Sequence, residues 1–567
     1  MKIDLKEKPF YLNENQIRWV NDTLSSMSED EKIGQLFSFV TYTDDEKVLE
    51  QFATKYKAGG VMCRPMQIDK LVNTISLLQK NSRIPMLISA NLEVGASGVC
   101  EEGTKVGCQM SVAAGPGPDG AATLGDICGK EGSALGINWA FAPVSDIDMN
   151  FRNPITNTRT YGSDPDMVRK CVTNYIQACQ RHGVAATAKH FPGDGCDERD
   201  QHLVTSINDL SCEGWDRTYG TIYRSAIDAG VLTVMTGHIM QPAWSRKLNP
   251  EINDKDIMPG SLSKELLNGL LRERLGFNGV IVTDATTMAG FSIPMPREKA
   301  VPYSIAAGCD MFLFTKNLEE DLGFMKQGLE NGILSHERVD EAVTRILAMK
   351  AALKLNEKNN VPDKQQAQKI IEENSKLGIL SKTADESITL VKNNAGILPI
   401  SLDKHKRILF FPIDGAAGKV TMYGTSESAN VKLISILKEN GFEVTAFQPK
   451  PGLEGLMDSA KELEEKYDLL IYCANLATKS NQTTVRIEWQ QPMGINVPVY
   501  MTGIPTVFIS LENPYHLLDA PRVPVYINCY QSDEEVLRAL VDKLMGRSEF
   551  KGKSPVDAFC GKWDTRL

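Results

Sequence analysis

The fourteen residues Lys189-His-Phe-Pro-Gly-Asp-Gly-Cys-Asp-Glu-Arg-Asp-Gln-His202 hold the densest set of groups able to move protons in this chain. Gly193 and Gly195 permit a sharp turn, and Pro192 stiffens its start. Asp200 and His202 lie two residues apart, so in an extended segment they share a face. A carboxylate bonded to one imidazole nitrogen fixes the tautomer and raises the basicity of the other nitrogen, which makes an acid/base device. Two other readings stand beside it. One is a solvated acidic loop. The other is a metal site from Asp194, Cys196, Asp197 and His202, a ligand mix that matches no common zinc spacing. Asp284 is the second feature, directly after the apolar run Gly279-Val-Ile-Val-Thr. A carboxylate at a buried strand end is costly unless partnered. It reads either as a catalytic group or as the N-cap of a helical segment over 285–288. Four of the seven histidines, His182, His190, His202 and His238, fall within one stretch, a clustering that suits proton chemistry or metal binding.

The elements that must position these groups follow from the apolar pattern. Eight strand-like runs occur at 33–40, 59–63, 85–90, 141–147, 185–190, 231–238, 279–283 and 311–315, most followed by enough chain for a helix. Such alternation predicts parallel strands closed into an α/β, TIM-type (β/α)8 barrel. The wide spacing between the third and fourth runs predicts an insertion. Active groups in this fold gather at the C-terminal strand ends, where the chain carries Asn91-Leu-Glu93, Asp146, Lys189-His190, His238 and Asp284. A helical stretch at 337–353 closes the barrel, and the polar segment 354–363 with Pro362 reads as a linker. A second α/β series follows, with strand-like runs at 407–413, 444–448, 468–473, 505–510 and 523–529 and helical patterns at 427–440 and 534–545. The expected organisation is a barrel domain over 1–353, a linker and leading helix over 354–380, and a smaller α/β sandwich domain over 381–567. Gly415-Ala-Ala-Gly-Lys419 lacks the phosphate-loop spacing and reads as a turn.

Bulk properties narrow the function classes. The chain has 567 residues, 42% of them hydrophobic, enough for a large core and more than one domain. Its net charge of −10, without a basic stripe, argues against a nucleic-acid partner. The longest apolar runs are strand-sized, which argues against a membrane span. The N-terminus is charged with no apolar segment behind it, so no signal peptide is expected. The 12 cysteines include no C-x-x-C pair and read as reduced, mostly structural thiols. A cytoplasmic enzyme needing no metal and no cofactor is the resulting expectation.

These segments together resemble glycoside hydrolase family 3, in its β-N-acetylglucosaminidase branch. The resemblance begins at Leu24-Ser-Ser-Met-Ser-Glu-Asp-Glu-Lys-Ile-Gly-Gln-Leu-Phe37. It continues through Gly136-Ile-Asn-Trp-Ala-Phe-Ala-Pro-Val-Ser-Asp146, Asn153-Pro-Ile and Arg159-Thr-Tyr-Gly-Ser-Asp-Pro165. The loop matches the family pattern K-H-F-P-G-H-G-D-T-x-x-D-S-H without a gap. Pro259-Gly-Ser-Leu-Ser263 and Leu271-Arg-Glu-Arg-Leu-Gly-Phe-Asn-Gly-Val-Ile-Val-Thr-Asp284 complete the series. The resemblance implies a retaining exo-glycosidase that removes terminal β-linked N-acetylhexosamine from a small carbohydrate. It implies Asp284 as nucleophile and His202 as acid/base oriented by Asp200, on a mobile loop of the barrel domain. It further implies Lys189, His190 and Arg159 as sugar-hydroxyl ligands; Asn91, Asp146 and His238, at strand ends of the same rim, are also expected to bind substrate. Several positions depart from the pattern. Asn91 stands for the usual aspartate and can bond a hydroxyl but not as an anion. The arginine that commonly follows has no counterpart in Ala96-Ser-Gly-Val-Cys100, and Asp194, Cys196, Asp197 and Gln201 replace His, Asp, Thr and Ser. The alternatives are a β-glucosidase or β-xylosidase of the family, a phosphorylase using phosphate as acceptor, and a non-catalytic carbohydrate-binding homologue.

Overall fold

A computed structural model describes residues 3–357, 360–415, 428–449, 459–481, 483–489 and 491–567. The chain forms two units. The first comprises Met1–Val106, Ala121–Thr156 and Pro165–Leu377, and the second Gly107–Gly120, Asn157–Asp164 and Gly378–Leu567.

Parallel strands covered on both faces need continuous apolar residues. The first unit has eight such strands: β1 (Phe37–Thr41), β2 (Gly60–Cys63), β3 (Leu87–Ala90), β4 (Trp139–Ala140), β5 (Thr187–Phe191), β7 (Thr233–Thr236), β9 (Val280–Thr283) and β10 (Phe312–Leu313). They pair in the orders β10-β1-β2-β3-β4 and β5-β7-β9. The parallel bridges Trp139–Ala185, Val144–Lys189 and Val282–Met311 join the two runs into a closed ring. This is the expected eight-stranded barrel. Two short strands, β6 (Ser206–Ile207) and β8 (Ile239–Met240), pair in parallel beside it and tie together the loops that follow β5 and β7. Inside the ring the Trp139 indole donates to the hydroxyls of Thr187 and Thr233, both at 2.9 Å, so its polar edge is satisfied in the core.

Two strand boundaries differ from the sequence reading. The run at 33–40 divides into a helix, Glu29–Gln35, and β1, because Ser28 and Glu31 form a capping box that starts the helix. The run at 141–147 pairs regularly only before it begins, at β4. Pro143 has no N–H for a ladder, and the segment beyond is irregular. The wide gap after β3 holds the helices Gln109–Ala114 and Gly117–Leu135.

The helix His336–Ala352 carries a buried cation. Lys350 is fully buried, and its ammonium donates to Gln35 Oε1 at 2.5 Å. Burial pushes it down to about 7 from an ordinary 10.5. The unfolded chain therefore takes up this proton near pH 10.5, and the folded chain only near 7. Stability from this group is full above pH 10.5, falls as pH drops toward 7, and stays low below that. Lys350→Met is expected to raise the unfolding free energy by roughly 1–3 kcal/mol at pH 6–7. The gain should shrink steadily toward pH 10, as read by denaturant melts across pH. A gain that does not depend on pH would show that Lys350 keeps its proton in the folded chain.

The second unit is a sheet ordered β11-β16-β15-β14-β12-β13, made of β11 (Thr389–Asn393), β12 (Arg407–Asp414), β13 (Glu443–Ala446), β14 (Leu469–Asn475), β15 (Thr506–Ser510) and β16 (Val525–Asn528). All pairs are parallel except β11–β16. The edge strand β11, Thr-Leu-Val-Lys-Asn, lacks a continuous apolar run and gives no strand signal in the sequence. Phe447, Phe411, Tyr472, Phe508 and Tyr526 stack in succession across one face. Ile408, Phe410, Ile471, Ile509 and Ile527 fill the other. The turn expected at 415–419 has residues 416–419 outside the described ones. No helix among the described residues is long and apolar enough to cross a membrane.

Candidate active site

Asp284 leaves the C-terminal end of β9, anchored by its amide to the Thr236 carbonyl at 2.8 Å. The helix that follows is Ala289–Ser292 with Met288 at its N-cap, so Asp284 caps no helix. Its Oδ1 accepts the Ala285 amide at 2.7 Å. Burial opposes its charge, but the imidazoles of His190, His238 and His202 and the Ala285 amide outweigh burial and hold the carboxyl below its usual range. An ionised, largely desolvated carboxylate results, with little water competing for its lone pairs.

His190, in β5, faces this carboxylate, with Nε2 lying 3.9 Å from Asp284 Oδ2. Its ring is set by Asp146, beyond β4. Asp146 Oδ2 lies 2.7 Å from His190 Nδ1, and Asp146 Oδ1 accepts the backbone amides of His190 and Asp194 at 3.0 and 2.8 Å. Asp146 is thus engaged by protein donors and acts here as an orienting group, which leaves Nε2 as the outward nitrogen of His190. Lys189 donates to Glu93 Oε1 at 2.6 Å, with both side chains largely buried. Asn91 stands half-buried directly after β3.

The loop after β5 brings Asp200 and His202 together. Asp200 Oδ1 lies 2.7 Å from His202 Nδ1 and also accepts the His202 amide at 2.8 Å. Asp200 is buried, whereas the His202 ring keeps 30% of its surface exposed. The pair forms in a turn, not in an extended segment, since the amides of Leu203 and Val204 both donate to the Asp200 carbonyl. With Nδ1–H directed at the carboxylate, Nε2 is free to take and return a proton. The backbone carbonyls of Gln201 and His202 accept the Gly290 and Ala289 amides at 3.2 and 3.0 Å. This loop therefore rests on the first turn of the short helix after Asp284. The candidate metal ligands in the loop turn to separate partners: Asp194 to Asn153, Asp197 to Arg199, and Cys196 toward Tyr219. Among the described residues no group of three or more His, Cys, Asp or Glu side chains is arranged to hold a metal ion.

Gly195 and Gly193 are obligatory here. At φ +107° a Cβ on Gly195 would lie 1.8 Å from the Ile147 carbonyl oxygen, and on Gly193 2.2 Å from the Tyr219 ring. Gly195→Ala is expected to cost about 2–4 kcal/mol in stability and to displace the loop. Thermal melting and activity measured on one sample would check it; a variant equal to the parent in both would contradict the packing described here.

His238 is fully buried at the end of β7. Nε2 lies 3.1 Å from the Ala285 carbonyl, which can only accept, so Nε2 carries the proton and Nδ1 accepts the Ser261 hydroxyl at 2.8 Å. Burial lowers its pKa, in keeping with a neutral ring. Both nitrogens are engaged, and the ring holds the backbone after Asp284.

Asp146, Lys189, His190, Asp200, His202, His238 and Asp284 thus gather at one end of the barrel, with Asn91 on the same rim. Arg159 belongs to the second unit. Glu93, at the end of the third strand-like run, Ser261 and Gln201 join the site without a role legible in the residue order. The signal for Gln201 was its departure from the family's serine; Glu93 and Ser261 carry no local mark of their partners. Chemically the arrangement offers an ionised carboxylate to attack an electrophilic carbon and an oriented imidazole to exchange a proton beside it.

The model of the glycosyl hydrolase family 3 N terminal domain matches residues 28–349, and that of the family's C-terminal domain matches 388–560. A Cellulomonas fimi protein named beta-N-acetylglucosaminidase/beta-glucosidase is 51% identical over 565 residues, covering 100% of both chains. The solved structure of a beta-glucoside phosphorylase, BglX, is 46% identical with a TM-score of 0.92 and 99% of each chain covered. That of a glycoside hydrolase family 3 beta-N-acetylglucosaminidase from Paenibacillus sp. str. FPU-7 is 25% identical with a TM-score of 0.76, covering 95% of this chain and 100% of its own.

Proposed function

Because the chain belongs to glycosyl hydrolase family 3, we propose that it is a retaining exo-glycosidase removing terminal β-linked N-acetylglucosamine, with Asp284 as nucleophile and His202 as acid/base. The observation that carries this reading is Asp284 at the end of β9, with His190 Nε2 3.9 Å from its Oδ2, on the same barrel rim as a His202 ring oriented by Asp200. In the first step Asp284 attacks the anomeric carbon. The bond to the leaving oxygen breaks, and the imidazolium of His202 gives that oxygen its proton from Nε2. In the second step an acceptor attacks the same carbon, His202 recovers a proton, and Asp284 leaves as carboxylate. Asp200 stabilises the imidazolium and fixes its tautomer. Lys189, His190 and Asn91 are assigned to sugar hydroxyls, Asp146 to orienting His190, and His238 to holding the backbone after Asp284. The free thiols of all twelve cysteines are in keeping with a reducing, cytoplasmic setting.

A second reading concerns sugar and acceptor. The names of the relatives at 51% and 46% identity include glucosides and phosphorolysis, which favours testing glucose as the sugar and phosphate as the acceptor. The deciding experiment measures release from p-nitrophenyl-β-GlcNAc and p-nitrophenyl-β-glucose, with and without inorganic phosphate, and identifies the sugar product. Free N-acetylglucosamine as the main product supports the hydrolytic reading. A sugar 1-phosphate of retained configuration moves it to phosphorolysis. No turnover of either glycoside under any condition would sink both.

A further inference from the structure

Two of the loop's departures from the family pattern, Asp194 and Gln201, meet in space. Gln201 sits between Asp200 and His202 and is 1% exposed; Asp194 is 2% exposed. Gln201 Nε2 donates to Asp194 Oδ2 at 3.1 Å, and Gln201 Oε1 accepts the His238 amide at 2.7 Å. Asp194 Oδ1 accepts from Asn153 Nδ2 at 2.9 Å and from the Gly195 amide at 2.7 Å, and the Asp194 amide donates to Asp146. One chain of hydrogen bonds therefore runs Asp146–Asp194–Gln201–His238, from the end of β4 to the end of β7, through the residue between the members of the acid/base pair. A serine side chain, two heavy atoms shorter, could not span both partners.

We propose that Asp194 and Gln201 form a clamp that positions the Asp200–His202 pair, so that the loop is set for proton transfer before substrate arrives. Neither residue touches the reacting atoms in this scheme; both are positioning residues. Three donors surround the Asp194 carboxylate, from Asn153, Gly195 and Gln201, and all three suit its ionised form. Burial and the neighbouring Asp146 push the other way and, against the opposing His190 imidazole, raise it to about 7.

The inference rests on the reading of His202 as the acid, and the test separates the two. Gln201→Glu keeps the acceptor for the His238 amide but sets two carboxylates face to face at Asp194. Combining it with Asp194→Asn exchanges donor and acceptor and restores both bonds with no change in net charge. In kcat/KM, Gln201→Glu should lose roughly 10- to 100-fold on glycosides with poor leaving groups and only a few-fold on activated aryl glycosides, which need no acid. The Asp194→Asn/Gln201→Glu double variant should recover most of the loss. Gln201→Ser gives a third variant if the two facing carboxylates prevent folding, with the same split expected, and circular dichroism and thermal melting confirm that each protein is folded. Equal loss on both substrate types, or no recovery in the double variant, while His202→Ala still shows the leaving-group split, overturns the clamp. Absence of that split in His202→Ala itself overturns the acid assignment, and the clamp with it.

Discussion

Asp284→Ala is expected to lower turnover of a β-linked N-acetylglucosaminide or glucoside by about four orders of magnitude or more, equivalent to roughly 5 kcal/mol of transition-state stabilisation. The side chain has two tasks that nothing nearby replaces. It supplies the electron pair that captures the anomeric carbon, and its charge stabilises the positive character that develops there. Its setting suits both tasks: burial strips water from the carboxylate, and the imidazoles keep it ionised despite burial. His190 Nε2 lies 3.9 Å from Oδ2, and its ring is held from the other side by Asp146. Azide entering the space left by alanine should restore part of the rate and give the glycosyl azide of inverted configuration. Rates of aglycone release and product analysis by NMR would check both points. Turnover equal to the parent's, with no azide effect, would mean the nucleophile lies elsewhere.

The second large effect is expected at His202. His202→Ala should cost about 10²- to 10⁴-fold in kcat/KM on alkyl or sugar leaving groups, the usual contribution of a positioned acid. On a dinitrophenyl glycoside, whose aglycone departs without a proton, the loss should be within about tenfold. The second step should also slow, because water then lacks a base. An anionic acceptor such as azide or phosphate needs no base and should relieve that slowing. Asp200→Asn should show the same pattern to a smaller degree, since an amide can hold the ring at Nδ1 but cannot stabilise the imidazolium as a carboxylate does. A leaving-group series on the three proteins would show this as a steeper dependence on aglycone basicity. Parallel lines for parent and His202→Ala would remove His202 from the acid's role.

Much of the framework was legible in the residue order. The buried strands β2, β3, β7 and β9 are short continuous apolar runs because both of their faces are covered, and that pattern survives any detail of packing. Barrel topology then places whatever follows each strand on one rim, which is why Asp284, His238, Lys189-His190 and Asn91 could be grouped from their positions alone. The edge strand β11 and the start of β1 were not legible: an edge needs no continuous apolar run, and a capping box overrode strand propensity at Ser28.

Within the site, the sequence by itself determined which chemical groups arrive at the rim and that Asp200 and His202 would be near each other, because these depend on chain order and short-range spacing. Tertiary structure alone decided what each group does there. It turned both oxygens of Asp146 to His190 and the Asp194 amide, gave His238 its proton on Nε2 through the Ala285 carbonyl, freed Asp284 from capping a helix, and joined Asp194 to Gln201. Hydrogen-bond direction, tautomer and ionisation all depend on which distant segment supplies the opposing donor, acceptor or charge, and that is settled only when the closed barrel brings those segments together.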